Sequence, residues 1–236
     1  MKQREVLNMN QPEVMEYVST LSTLSTSTSN KTKTLLSQLE AQAEQEHIPI
    51  MQWDGISCLK MLLSVHRPKR ILEIGSAIGY SALQMASVLP EANIITLELD
   101  EGRAEQAKQN FIAGDVSHTV TCIQGDALDL IASVEGTFDF VFIDAAKGQY
   151  RSFFDLSFPK LNDGAVIVTD NVLFRGYVAE PEPLENVPKR YRRMVQKLKQ
   201  YNQFLIEHPQ LETNILPIGD GVAVSVLKNE RGVKCN

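Results

Sequence analysis

The sequence predicts an α/β fold on a mostly parallel sheet, and three observations predict it. Short apolar runs alternate with helical stretches through the middle of the chain: ILEI from Ile71, NIITLEL from Asn93, VTCI from Val120, DFVFI from Asp139 and AVIV from Ala165. The runs are continuous rather than alternating, which is the texture of strands buried on both faces. Near the C-terminus, TNILPI and VAVSVL flank the GDG of Gly219–Gly221, a hairpin signal that adds an antiparallel edge.

The elements follow in order. Residues from Met1 to about Lys33 are polar, and STLSTLSTSTSN from Ser19 to Asn30 reads as a loosely held helix end and a linker. Leu35, Leu36, Leu39 and Ala43 place one apolar face on a helix from Thr34, which Pro49 breaks. Ile56, Leu59, Leu62 and Leu63 mark a second helix, ended by RPKR at Arg67–Arg70. Between the first four apolar runs lie helical stretches at Ser81–Leu89, Gly102–Ala113 and, more briefly, Leu128–Val134. The tail after Leu227 is polar and expected to fray. Residues 1–47 therefore read as an N-terminal helical extension and 48–236 as the α/β domain, one globular unit overall.

Composition bounds the function. The chain has 236 residues, 43% apolar and 22% charged, with net charge -6, so its surface as a whole does not attract polyanions. Cys58, Cys122 and Cys235 are far apart and form no C-x-x-C, so neither a disulfide framework nor a zinc knuckle is indicated. His47, His66, His118 and His208 form no metal-binding pair. There is no membrane-length apolar run and no apolar signal core, and a reducing cytoplasm fits these features.

LEIGSAIGYSA lies where the first strand turns into a helix. Gly75 and Gly79 there let backbone approach a ligand, and the helix that follows points its first amides at it. A dinucleotide site would want glycine where Ala77 and Tyr80 stand, and Ala77 would crowd a pyrophosphate. Glu98 ends the next strand, where a carboxylate accepts from ribose hydroxyls. The site is therefore suited to an adenosyl group without a pyrophosphate. Asp126, just past the third strand, sits where an adenine edge would rest, or else caps the following helix.

Two further strands end on acids: DFVFI on Asp144, and AVIV, after Thr169, on Asp170–Asn171. Ligands of open α/β sheets bind outside the carboxyl ends of strands. If these two strands are neighbours, three oxygens converge without sulfur or imidazole, a set that suits a hard cation such as Mg²⁺. Lys147, three residues past Asp144, is then within reach of a hydroxyl beside that cation, as a general base, or it pairs with a nearby carboxylate.

With LEIGSAIGYSA, LELD, IDAAK and TDNV in hand, the chain resembles the metal-dependent O-methyltransferases of the catechol and caffeoyl-CoA type, over about Ile48 to Leu227. The resemblance implies a Rossmann-like S-adenosylmethionine-dependent methyltransferase fold, with a mostly parallel seven-stranded sheet and an antiparallel C-terminal hairpin. It implies that Met51, Glu73, Gly75, Ser81, Glu98, Asp126, Ala127 and Asp144 line the S-adenosylmethionine site. Asp144, Asp170 and Asn171 would hold the metal, Mg²⁺ or another hard divalent cation, and Lys147 would match the catalytic lysine. Within the family, IDAAKGQY, TDNVLFRGYVAEPE and VPKRYRRMVQKL look closest to bacterial tRNA 5-hydroxyuridine methyltransferases. That implies methylation of the wobble 5-hydroxyuridine to 5-methoxyuridine, with small catechol or caffeoyl-type phenols as the alternative acceptor.

Both acceptors present two neighbouring oxygens to one cation. The two alanines after Asp144 leave the mouth open to a nucleotide on a polymer. Lys189, Arg190, Arg192, Arg193, Lys197 and Lys199 form an uninterrupted basic run on a helix started by Pro188, with Arg175 nearby. On that helix Met194, Leu198, Tyr191 and Val195 are the expected buried stripe. The cations read as a surface for a tRNA anticodon arm or as a solvated face. A nicotinamide dehydrogenase conflicts with Ala77, and a non-catalytic RNA-binding module leaves the Asp–Asp–Asn set unexplained. The N-terminal extension is a candidate homodimer interface.

Overall fold

The computed structural model describes residues 12–23 and 30–229. Residues 24–29 of the expected linker and 230–236 of the expected frayed tail, with Cys235, lie outside the described residues. Three helices lead in: α1 (Pro12–Thr23), α2 (Asn30–Glu46) and α3 (Trp53–His66). Then strands and helices alternate: β1 (Arg70–Ile74), α4 (Tyr80–Val88), β2 (Asn93–Glu98), α5 (Glu101–Ala113), β3 (Val120–Gln124), α6 (Ala127–Ser133) and β4 (Phe138–Ile143). α7 (Tyr150–Ser157), β5 (Leu161–Thr169), α8 (Lys189–Glu207), β6 (Leu211–Leu216) and β7 (Val222–Leu227) complete the chain. Two helix starts carry side-chain caps: Asp100 accepts from Arg103 N, and Asp126 accepts from Leu128 N.

The sheet order is β3-β2-β1-β4-β5-β7-β6. β3, β2, β1, β4 and β5 are parallel, β7 runs against β5, and β6 runs against β7. The last strand is thus inside the sheet. The hairpin adds the expected antiparallel pairing at this edge of the sheet, with β7 against β5 and β6 outermost, pointing the same way as β5. The burial pattern explains the choice, because Val222, Ala223 and Ser225 of β7 are buried while β6 buries only Leu211 fully.

Side chains alternate between two cores. Phe140 and Phe142 of β4 pack with Leu59 and Leu63 of α3, Leu83 of α4 and Phe111 of α5. Val141 and Ile143 of the same strand pack with Ile131 of α6, Phe153 of α7 and Leu198 and Leu205 of α8. Each such fully buried side chain contributes about 1.5–3 kcal/mol of transfer free energy, so β4, with five of its six residues buried, is a rigid mount. Leu36, Leu39 and Ala43 of α2 are buried in the first of these cores. No helix among the described residues is long and apolar enough to cross a membrane.

Strand order reverses between β1 and β4, since β2 lies on one side of β1 and β4 on the other. That switch point opens a crevice at the carboxyl ends of the strands. Ile74 is in register with Ile143, and Ile143 with Thr169. The next residues, Gly75, Asp144 and Asp170, therefore emerge side by side at one level.

Candidate active site

A cavity of about 310 Å³ occupies that crevice. Of the residues singled out from the sequence, Met51, Gly75, Ser81, Glu98, Asp126, Ala127, Asp144, Lys147, Asp170 and Asn171 all line it. Glu98 reaches it from the end of β2, held by two backbone amides: Oε2 accepts from Ala77 N at 2.7 Å and Oε1 from Asp100 N at 2.9 Å. Each oxygen keeps capacity for another donor, as a ribose diol requires. The first of these bonds also fixes Ala77, whose φ of 45° is rare for a residue with a Cβ.

Gly75 is required by contact. Its φ is 99°, and a Cβ there would lie 2.0 Å from the Asp144 carbonyl oxygen. The glycine thus brings the β1 turn against the tip of β4, joining the expected cofactor loop to the expected metal aspartate. Gly79 corrects the sequence reading, because it does not line the cavity. A Cβ there would strike the Phe111 ring at 2.5 Å, so this glycine serves the packing of α4 on α5.

Glu73 is a second correction. It is fully buried and is not among the residues lining the cavity. Its Oε1 accepts from Ser81 Oγ and its Oε2 from Thr96 Oγ1, both at 2.5 Å. Burial pushes its carboxyl up to about 7, against the pull of those two hydroxyls. Glu73 braces Ser81 from below rather than touching a ligand. Ser76 Oγ, buried in the cavity wall, has beside it only the weakly bonding Cys122 thiol, and a polar ligand can satisfy it. Asp126 caps α6 through Leu128 N and also lines the cavity.

At the ends of β4 and β5 the acids converge. Asp170 is 3% exposed, and its carboxyl is pushed up to about 7 by burial first and by neighbouring Asp144 second. Burial likewise raises Asp144, with Lys147 opposing. Lys147 Nζ donates to Asn171 Oδ1 at 2.6 Å, an amide partner where a carboxylate was the alternative. Asn171 has φ 55°, the left-handed conformation that asparagine tolerates better than most residues. Among the described residues no three His, Cys, Asp or Glu side chains form a ligand cluster, so the third donor in this set is an amide.

Sequence reasoning missed Tyr80, Gln149 and Phe153, which also line the cavity. Each lies in or just after a quoted motif, but its direction depends on helix phase. The basic helix is the largest departure. Its buried residues are Val195, Leu198, Tyr201, Asn202 and Leu205, with Met194 half-buried. Arg192 donates to Val187 O at 2.9 Å and Glu185 O at 3.1 Å, and Lys197 to Gly148 O at 2.9 Å. Lys199 donates to Glu180 O. These three cations are committed to carbonyls of the chain itself, so Arg192 is a staple rather than a free phosphate contact. Lys189, Arg190, Arg193 and Arg175 remain exposed, with Arg190 over the Tyr191 ring at 4.6 Å and Arg175 over Phe174 at 5.7 Å.

This sheet order, with its cavity at the switch point and a carboxylate at the tip of β2, defines an S-adenosylmethionine-dependent methyltransferase. The O-methyltransferase family model matches residues 26–228, and the chain belongs to that family. A flavonoid 3',5'-methyltransferase of Vitis vinifera is 37% identical over 174 residues, 70% of this chain and 73% of the relative. A provisionally named caffeoyl-CoA O-methyltransferase from Staphylococcus aureus superimposes with TM-score 0.80 at 34% identity, covering 90% of this chain and 98% of that one. TomG from Streptomyces achromogenes, an O-methyltransferase involved in tomaymycin synthesis and solved with S-adenosylmethionine, has TM-score 0.77 at 25% identity, covering 92% and 96%. The chain is an S-adenosylmethionine-dependent O-methyltransferase of the caffeoyl-CoA and catechol type.

Proposed function

We propose that this enzyme is also divalent-cation-dependent and methylates one of two neighbouring hydroxyls on an aromatic ring, as in a catechol or caffeoyl-type phenol. The observation that carries the reading is the convergence of Asp144, Asp170 and Asn171 on the cavity that Glu98 also lines. The donor set fits a hard cation: all three offer oxygen, burial raises both carboxyls, and Asp144 raises Asp170 further while Lys147 opposes. Mg²⁺ is the natural choice. The names of the relatives, flavonoid and caffeoyl-CoA methyltransferases, support a phenolic acceptor.

S-adenosylmethionine supplies the electrophilic methyl, and the cation supplies positive charge beside the acceptor oxygens. Glu98 orients the ribose, and Asp126 and Ala127 bound the adenine end. Lys147 takes the hydroxyl proton as the oxygen–methyl bond forms and the carbon–sulfur bond breaks. Ala145 and Ala146, small and beside the metal ligands, leave room for the ring. The gain comes from orientation and charge stabilisation in a partly dry cavity.

A tRNA acceptor has less support. Beside the motifs IDAAKGQY and TDNVLFRGYVAEPE it draws on the basic helix, where Arg192, Lys197 and Lys199 are tied to backbone carbonyls. Methyl transfer from radiolabelled S-adenosylmethionine decides between the two. Caffeoyl-CoA or catechol should be methylated with Mg²⁺ and not with EDTA. Labelling confined to 5-hydroxyuridine-containing tRNA would overturn the phenol reading, and full turnover in EDTA would overturn the metal.

A further inference from the structure

α4, the helix that follows β1, opens on Tyr80, which is 4% exposed and lines the cavity. Its hydroxyl donates to Glu40 Oε1 of α2 at 2.6 Å and accepts from Gln84 Nε2 at 3.2 Å. Gln84 Oε1 accepts in turn from Lys60 Nζ of α3 at 3.1 Å. A polar chain thus joins three helices, and its two charged ends, Glu40 and Lys60, come from helices that precede the sheet. After α2 the chain runs directly into Pro49, Ile50 and Met51, which line the same cavity. Leu36, Leu39 and Ala43 of α2 are buried in the core, and half-buried Leu35 packs beside them. A hydrogen bond to a carboxylate is about twice as strong as a neutral one, so the Glu40–Tyr80 bond adds a directional tie to the apolar contacts that seat α2.

We propose that Glu40 is a positioning residue for S-adenosylmethionine. Its bond to Tyr80 latches α2 onto the start of α4, and so holds the Pro49–Met51 wall against the cofactor next to Ser81. The inference rests on placing the cofactor in this cavity. Breaking the latch lets α2 and the wall move together, because Pro49 follows the helix end by only three residues. The acceptor end of the site, at Asp144, Lys147 and Asp170, stands on β4 and β5 and does not depend on α2.

Calorimetric titration with S-adenosylmethionine tests this. Glu40→Ala and Tyr80→Phe should each weaken binding about fivefold or more, and the double variant no further than either alone. Glu40→Gln keeps the acceptor oxygen and should recover most of the affinity. In kinetics the KM for S-adenosylmethionine should rise at near-constant kcat and acceptor KM. Hydrogen exchange of α2 amides should quicken in cofactor-free Glu40→Ala, and cofactor should protect α2 in the unaltered protein. Wild-type affinity in Glu40→Ala, a lowered melting temperature with no change in affinity, or additive losses in the double variant would overturn the latch. Glu98→Ala is the control. If it also binds normally, the cofactor placement itself is wrong; if it binds weakly while Glu40→Ala does not, only the latch is.

Discussion

Lys147 Nζ lies 2.6 Å from Asn171 Oδ1, bridging the tips of two adjacent parallel strands. The bond is possible because β4 and β5 are level, Ile143 paired with Thr169. A base at Lys147 is thereby held at the acceptor end of the cavity by a residue of the proposed metal set. Lys147→Ala should lower kcat by about 10²–10⁴-fold, the usual share of a general base. Lys147→Arg should not rescue, since a guanidinium does not give up its proton at neutral pH. Steady-state kinetics with a calorimetric check on cofactor affinity, expected unchanged, measures both.

Asp170→Ala should abolish stimulation by Mg²⁺ and keep the fold. The side chain accepts from the adjacent Asn171 N at 2.7 Å, while the longer-range bonds are backbone ones: its N–H donates to Ile143 O and its carbonyl accepts from Tyr150 OH at 3.0 Å. Circular dichroism and a metal titration of turnover check the two halves. A variant that still responds to Mg²⁺ would remove Asp170 from the ligand set.

Glu98→Ala should weaken S-adenosylmethionine binding about tenfold or more, from two lost ribose hydrogen bonds. Glu98→Gln should do little better. Both Glu98 oxygens face backbone donors, at Ala77 N and Asp100 N, and a carboxamide must turn its NH₂ toward one of them. Titration of the two variants side by side compares them.

Glu73 predicts a pH dependence. Its carboxyl is raised from 4.5 to about 7 in the folded state, chiefly by burial, so the native protein binds a proton that the unfolded chain has released. The stability this provides is fully present below the unfolded value and is lost as pH rises through about 7. Glu73→Gln carries no charge and lacks this slope. Its melting temperature, measured without cofactor, should gain on the unaltered protein between about pH 5 and about pH 8, by at most about 3 kcal/mol in stability. Parallel melting curves across that range would show that Glu73 titrates normally.

The exposed and the committed cations of α8 should separate. Arg192→Met removes two bonds to the Glu185–Val187 turn and should lower the melting temperature. Arg190→Glu with Arg193→Glu alters exposed charge and lifts Arg190 from the Tyr191 ring, and should change melting temperature far less than Arg192→Met and leave phenol methylation unchanged. Loss of activity toward a hydroxyuridine-containing tRNA in that double variant, with the phenol activity intact, would return the tRNA reading to first place.

Much of this was legible in the chain alone. Phe140–Ile143 and Val166–Val168 announce buried strands because burial on two faces demands unbroken apolar residues. An acid standing at the end of such a run is at the rim of the sheet wherever the run goes, so Asp144, Asp170 and Glu98 could be placed at a ligand crevice before any packing was known. Other relationships are long-range and leave no local trace. Gly79 looks the same in a sequence whether it meets a ligand or the Phe111 ring, and only the docking of α5 on α4 settles it. Glu73 is one strand residue among five until the sheet buries it under Ser81 and Thr96. The cations of α8 read as a free surface until the turn before the helix folds back and offers them carbonyls. Glu40 and Tyr80 are forty residues apart, and nothing in either neighbourhood names the other. Periodicity and strand-end chemistry are short-range and survive in the sequence; which side chain meets which across two elements depends on how those elements pack, and only the tertiary structure decides that.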